Sequence, residues 1–396
     1  MLFEDSYATN NVLPLSVTAM KTTADVAIVG AGIMGLAHAY AAASRGLKVV
    51  VFERGSRASG ASVRNFGMVW PIGQPHGRMH QLALLSRARW VEVLDQARLP
   101  SWPEGSLHVV YREDEAAVAR EFAELATGLG YECSWLNREQ TLARSRAVKA
   151  EGLIGGLWSS TELTVDPRVT IAALPGFLQE RFGVEMRFGC PVRSINLPAV
   201  DAGTERWMVG HAIVCCGDDF ETLYPETFAA SGLTRVKLQM LRTAPQTEGW
   251  RLGPALAAGL TLRFYPAFDV CSTLPALRHR IAQETPEYER WGIHGLVSQT
   301  AHGELTLGDS HEYGLCVDIF NWEEVDDLIL GYIRGFLNAP VMTIAQRWHG
   351  VYAKHPEEPY LAITPAPGVR IVTSPGGAGM TLSFGIAEKT IQDMDL

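Results

Sequence analysis

The 396 residues include 47% apolar side chains and carry a formal net charge of −9 at neutral pH. A chain of that length supports a large core and two domains, and its acidic balance excludes the basic footprint of a binder of nucleic acid or anionic membrane. No apolar run in the sequence is long enough to span a bilayer.

Residues 1–19 lack the basic start and continuous apolar stretch of a secretory signal. They are expected to form a flexible extension ahead of Met20-Lys21, on a chain that stays in the cytoplasm. The strand Val26–Val29 then runs into Gly30-Ala31-Gly32-Ile33-Met34-Gly35, an Ala-rich helix over Leu36–Ser44, and a second strand that ends on Glu53. In this order a GxGxxG pattern carries weight. The strand delivers the turn, the glycines bring the helix N-terminus up to a pyrophosphate, and the acid holds a ribose hydroxyl. These residues make a dinucleotide site and by themselves leave open which dinucleotide it takes.

The glycine-rich stretch Gly55–Gly67 is too long for a simple connection and reads as a ligand loop. Helical spacing follows over Met79–Leu94, Glu113–Gly130 and Arg138–Ser145, and another helix enters through Asp166 and Pro167 and stops at Gly183. Trp207–Cys216 reads as a strand closing on Gly217-Asp218. The pattern then shortens to strands at Leu238–Thr243, Leu260–Tyr265, Gly295–Gln299, Glu304–Leu307 and Gly314–Phe320, an antiparallel sheet. Helix returns at Glu323–Leu337, and the strand Val369–Thr373 leads into a second glycine-rich helix start at Pro375–Thr381.

The expected fold class is α/β. A Rossmann-like nucleotide domain in three segments (20–95, 150–230 and 345–396) is interrupted by an antiparallel β-sheet substrate domain (96–149 and 231–344). Cys133, Cys190, Cys215, Cys216, Cys271 and Cys316 show no metal-ligand spacing, so free thiols and no metal site are expected.

The GAGIMG turn, Glu53, the ASVRNFG loop, Val192, the IVCCGD junction and the closing PGGAGMTLSFGIAE resemble the FAD-dependent amine and amino-acid oxidoreductases from about Asp25 onward. This is the group of D-amino-acid oxidase, glycine oxidase and sarcosine oxidase. Within it, ASVRNFGMVWPIGQP and RWHGVYAKHPEEPY are similar to a bacterial clade associated with phosphonate degradation. The resemblance implies FAD with Gly30, Gly32, Ile33, Met34 and Gly35 at the pyrophosphate and Glu53 and Arg54 at the ribose. It places Ala61, Ser62, Arg64, Asn65, Phe66, Gly67 and Met68 along the diphosphate and isoalloxazine, Val192 by the adenine and Gly217 near the ribityl chain. Gly376, Gly377, Gly379, Met380, Thr381 and Leu382 would bring a helix N-terminus to the flavin C2 carbonyl.

Departures from the family pattern are informative. Tyr352 stands where relatives carry a carboxylate-binding arginine, and Met380 where sarcosine oxidase has a lysine. The flavin-linking cysteine corresponds to Gly350, which implies noncovalent FAD, and a cation common near the flavin falls at Gln299. An ordinary α-amino acid lacks both anchors, so the expected substrate is a small anionic amine such as an aminoalkylphosphonate, with O2 as electron acceptor. Arg64, His76, Arg263, His349 and Lys354 are the candidate anion contacts, and Tyr265 shares a face with Arg263 if both lie in a strand. The bland readings are a solvated Lys354, a packed Trp348 and buried Cys215 and Cys216 thiols. Two alternatives are carried: a glycine, sarcosine or D-amino-acid oxidase, and a nicotinamide-dependent dehydrogenase or nonenzymatic nucleotide module. Neither nucleic acid nor membrane is an expected partner, and the oligomeric state is open.

Overall fold

The computed structural model describes residues 22–396, so the expected extension and the Met20-Lys21 start lie outside the described residues. Thr22–Val29 runs parallel between Glu205–Val214 and Val49–Glu53. Val369–Thr373 and Glu185–Phe188 extend this array in parallel on either side, and Leu361–Ala366 closes one edge antiparallel. Its central strands are apolar on both faces because both are covered: Val26, Ala27, Ile28, Val50 and Val51 are at most 1% exposed. One face carries the helices Ile33–Ala43, Arg78–Gln96, Pro167–Phe182 and Gly379–Asp393. The other packs against Val192–Asn196 and Ala199–Ala202.

Trp90 fixes the last helix relative to Arg78–Gln96. Its indole N–H donates to the Met380 carbonyl at 2.6 Å and its ring meets Phe384 edge-on at 5.0 Å. The glycine-rich turn before that helix is therefore anchored from beneath.

A second sheet of nine strands forms the other layer. It is antiparallel except where Ala255–Ala258 runs beside Ser106–Val110. Two of its strands correct the expected domain limits. Gly155–Ser159 was expected in the nucleotide segment 150–230 but pairs with Ser106–Val110, and Ile344–Lys354 pairs along Thr234–Thr243 instead of joining segment 345–396.

Two expected strands are also corrected. Gly259–Leu262 is a helical turn followed by a 3-10 turn at Pro266–Val270, so Leu260–Tyr265 is not a strand. The Glu115 carboxyl packs against Gly259 there, where a Cβ would lie 2.0 Å from its carboxyl carbon. A short mixed run such as Leu260–Tyr265 fits a strand and a helical turn equally. Pairing ends at Gly314, and Leu315, Ile319 and Phe320 lie in a loop at 67%, 72% and 72% exposure, not in a strand over Gly314–Phe320.

Glu162 ties the Pro71–Gly73 turn to the strand Ser106–Val110. It is 1% exposed and accepts from the Ile72 amide (3.0 Å), the Ser106 hydroxyl (2.9 Å) and the Thr161 hydroxyl (2.8 Å). Glu162→Gln keeps the shape but leaves one buried donor facing an amide NH2, at an expected cost of about 1–3 kcal/mol. A lowered urea midpoint with unchanged slope checks this. Among the described residues, no helix is long and apolar enough to cross a membrane.

Candidate active site

A cleft of about 870 Å³ opens at the carboxyl ends of the parallel strands, between them and the second sheet. Open α/β sheets place ligands at this edge. At its nucleotide end Gly30 has φ +101°, and a Cβ there would lie 2.4 Å from the Cys215 carbonyl. Gly35 stands off the cleft; its Cβ would fall 1.8 Å from the Gly30 carbonyl, so it seats the helix against the strand. Gly30, Gly32, Ile33 and Met34 line the cleft.

The helix Ile33–Ala43 begins without a side-chain cap, and Ile33 N–H donates to the Ser62 hydroxyl at 2.9 Å. Glu53 accepts from the Ala31 amide at 3.0 Å and the Gly55 amide at 2.9 Å. Arg54 is paired with Asp219 at 2.7 Å, and Val192 and Gly217 line the same end.

Along the middle run Ala61, Ser62, Arg64, Asn65, Phe66 and Met68. Asn65 shapes this loop, donating to the Ala61 and Ser62 carbonyls at 2.9 and 3.0 Å and accepting from Gly67 N–H at 2.7 Å. Gly67 itself is off the cleft and is required by close approach, as its Cβ would lie 1.9 Å from the Val165 carbonyl. Opposite, Gly376 and Gly377 take φ +55° and +85° and lead into the uncapped start of Gly379–Asp393. Gly376, Gly377, Gly379, Met380 and Thr381 line the cleft there, whereas Leu382 faces the core. Thr381 fixes that start by accepting from the Trp70 amide at 2.9 Å. Two helix starts whose own N-cap residues supply no side-chain cap, and glycine backbone, facing one elongated cleft fit a dinucleotide whose pyrophosphate and ring both accept hydrogen bonds.

Beyond that stretch the cleft is lined by Tyr265, Tyr352 and Lys354. Burial raises both tyrosine hydroxyls above their usual range. The position of a Cβ on Gly377 lies 3.1 Å from the Tyr352 hydroxyl, so that side chain reaches the glycine turn. Lys354 is held beside Tyr313, its ammonium 5.1 Å from the ring centre and 3.4 Å from the hydroxyl. Arg64 Nη1 donates to the His349 carbonyl at 3.2 Å.

Four expected contacts do not line the cleft. His76 is exposed in the loop before Arg78–Gln96. Arg263 has no strand to share a face with Tyr265; its guanidinium turns away to the Tyr288 and Ile293 carbonyls at 3.1 and 3.0 Å. Gln299 is held by backbone, accepting from Leu252 N–H at 3.0 Å and donating to the Gly303 carbonyl at 3.2 Å. His349 lies opposite Gln239, whose side chain bonds Asp326 on the far side of the sheet, so alternation sends Tyr352 to the cleft and His349 away.

The sequence reading missed Phe264, His294, Asp309 and His311, which line the same end as Tyr265. The signal was present in Asp309-Ser310-His311, polar residues directly after the apolar strand Leu305–Gly308. His294 and His311 are held below the usual imidazole range, chiefly by burial, His311 at about 3, and burial raises the Asp309 carboxyl well above its own.

A family model described as DAO, FAD dependent oxidoreductase, matches residues 25–392. The chain is 29% identical over 142 residues to glycine oxidase of Geobacillus kaustophilus, a match covering 34% of this chain and only 38% of that protein. It is 28% identical over 365 residues to an opine oxidase component of Agrobacterium tumefaciens, covering 79% and 97%. Among solved structures, the glycine oxidase of Geobacillus kaustophilus superposes with a TM-score of 0.74 at 18% identity, covering 94% of this chain and 95% of that one. L-proline dehydrogenase from P. horikoshii gives 0.72 at 17% identity, covering 93% and 92%. These structures share the fold, and the family match sets the nicotinamide alternative aside. With the glycine-built cleft and a family match over nearly its whole length, the chain belongs to the DAO family of FAD-dependent oxidoreductases.

Proposed function

We propose that this protein oxidises the C–N bond of a small primary or secondary amine bearing a phosphonate, such as N-methyl-2-aminoethylphosphonate or 2-aminoethylphosphonate. The observation that carries the reading is Tyr352, which lines the cleft where the resemblance places a carboxylate-binding arginine. The cations near it are Arg64 and Lys354, each a donor to a tetrahedral dianion and approaching from different elements. FAD held in this cleft would supply a hydride acceptor for the carbon beside nitrogen and a route for the electrons to O2 as peroxide. Water then hydrolyses the imine to phosphonoacetaldehyde and an amine.

The protein's part is placement. The uncapped start of Gly379–Asp393 turns partial positive charge into the cleft, where negative charge grows on reduction. Gly350 offers no thiol at the position of the flavin-linking cysteine, which supports noncovalent FAD. The six free cysteines support a cytoplasmic location.

A glycine or sarcosine oxidase is the second reading, favoured by the structural likeness to glycine oxidase. Peroxide release from both aminophosphonates, glycine, sarcosine and D-alanine separates the two. Activity with the aminophosphonates is the expected result; activity with the carboxylates alone overturns the phosphonate reading.

A further inference from the structure

We infer that Asp309, at the end of the cleft lined by Phe264, Tyr265 and Tyr352 and flanked by His294 and His311, is where the substrate's alkylammonium group docks and loses a proton. The inference rests on amine oxidation in this cleft and not on the phosphonate. Asp309 is 5% exposed yet lines the cleft. Its Oδ1 is 3.2 Å from His294 Nε2, and its Oδ2 is 3.9 Å from His311 Nε2. Among the described residues, Asp309 Oδ1 and His294 Nδ1 have no well-directed hydrogen-bond partner. A carboxylate left so in the interior is costly unless something else completes it.

His311 shows what is missing. Its Nδ1 lies 2.8 Å from the Gly292 carbonyl, which can only accept, so Nδ1 carries the proton and Nε2 presents a lone pair. With Asp309 ionised, that lone pair and Asp309 Oδ2 are two acceptors facing across 3.9 Å. A group with two N–H bonds and a positive charge satisfies both, and an alkylammonium is such a group.

The walls agree with this. The Phe264 ring stacks on His294 at 4.1 Å and leans on His311 at 4.5 Å, and Tyr265 stands edge-on to His294 at 5.8 Å. Aromatic rings lining the same end of the cleft as the carboxylate suit an alkylated cation. The same three side chains, Asp309, His294 and His311, have ligand atoms within 4.8 Å of one another, so a metal ion is the competing occupant to be separated by experiment.

In the step itself one N–H bond of the ammonium breaks and an O–H bond forms on Asp309. Nitrogen keeps the electron pair, and no oxidant is consumed. The neutral amine can then release hydride, which the ammonium cannot. Burial of Asp309 favours its protonated form and so favours this transfer.

The test titrates the FAD-loaded protein with tert-butylammonium, which has no α-hydrogen to oxidise, and with ethylphosphonate, which has no amine, following the flavin spectrum. Wild type is expected to bind tert-butylammonium, Asp309→Asn to weaken it at least tenfold with ethylphosphonate within twofold, and Asp309→Glu to recover most of the loss. Affinity of the wild type for tert-butylammonium is expected to fall as pH falls and Asp309 is protonated. The ionisable groups facing Asp309 are His294, His311, Tyr265 and Tyr352, with Lys354 and Arg263 acting on the histidines. If Asp309→Asn fails to load FAD, this wild-type pH series decides: constant affinity from about pH 5 to about pH 9 overturns the inference. Equal affinity in Asp309→Asn overturns it too, as does one tightly held zinc in the wild type that His311→Ala releases. Binding of tert-butylammonium without any binding of ethylphosphonate upholds the inference while defeating the phosphonate reading.

Discussion

Gly30→Ala is expected to purify colourless, with FAD affinity at least a hundredfold below wild type or no folded protein at all. The added methyl meets two obstacles. φ +101° is strained for any residue with a Cβ, and that Cβ would lie 2.4 Å from the Cys215 carbonyl, which is backbone and cannot rotate aside. The strands Thr22–Val29 and Glu205–Val214 must part, or the turn must move away from the pyrophosphate. Overpacking commonly costs about 1–3 kcal/mol and positive-φ backbone strain about 1–2 more, which together account for the hundredfold. Gly35→Ala is expected to behave alike, since its Cβ would fall 1.8 Å from the Gly30 carbonyl. Flavin absorbance per protein after gel filtration is the measurement, and a fully yellow Gly30→Ala protein contradicts the account of the turn.

His108→Leu is expected to resist acid better than wild type. His108 is fully buried in the strand Ser106–Val110 between the rings of Trp70 and Phe268, each centred 5.5 Å away. Among the described residues neither ring nitrogen has a partner, and burial lowers its pKa to about 3. The folded-state pKa therefore lies below the unfolded value of about 6.5. Between these values the unfolded chain binds a proton that the fold refuses, so stability is lost as pH falls, by about 1.4 kcal/mol per pH unit. Leucine removes this loss and two orphaned nitrogens. Its advantage over wild type is expected to grow by about 2 kcal/mol between about pH 7.5 and about pH 5 in urea unfolding. A gap that stays constant with pH would show that His108 is not held neutral by the fold.

The nucleotide end of the site was legible because its constraints are local. A strand, three glycines and an acid at the next strand's end are set by backbone geometry within one βαβ unit, and Gly30, Gly32 and Glu53 stand at the cleft accordingly. Gly35, Gly67 and Leu382 are off the cleft, the two glycines because close backbone approach demands them there. The substrate end was less legible because it is assembled by tertiary contacts. Arg263 and Tyr265 looked paired by alternation, but Gly259–Leu262 is a helical turn, with Arg263 as its C-cap, and the alternation does not apply. His349 and Tyr352 sit three apart on one strand, and only the pairing with Thr234–Thr243 decides which faces the cleft. Asp309 and His311 come from one loop and His294 from another, so their meeting could not be read from spacing.

Anaerobic addition of N-methyl-2-aminoethylphosphonate, 2-aminoethylphosphonate, sarcosine and glycine, each separately, to the FAD-loaded protein tests the central claim most directly. The account predicts that the flavin band bleaches with an aminophosphonate and stays unchanged with sarcosine and glycine. Bleaching by sarcosine or glycine while both aminophosphonates leave the band intact would contradict it.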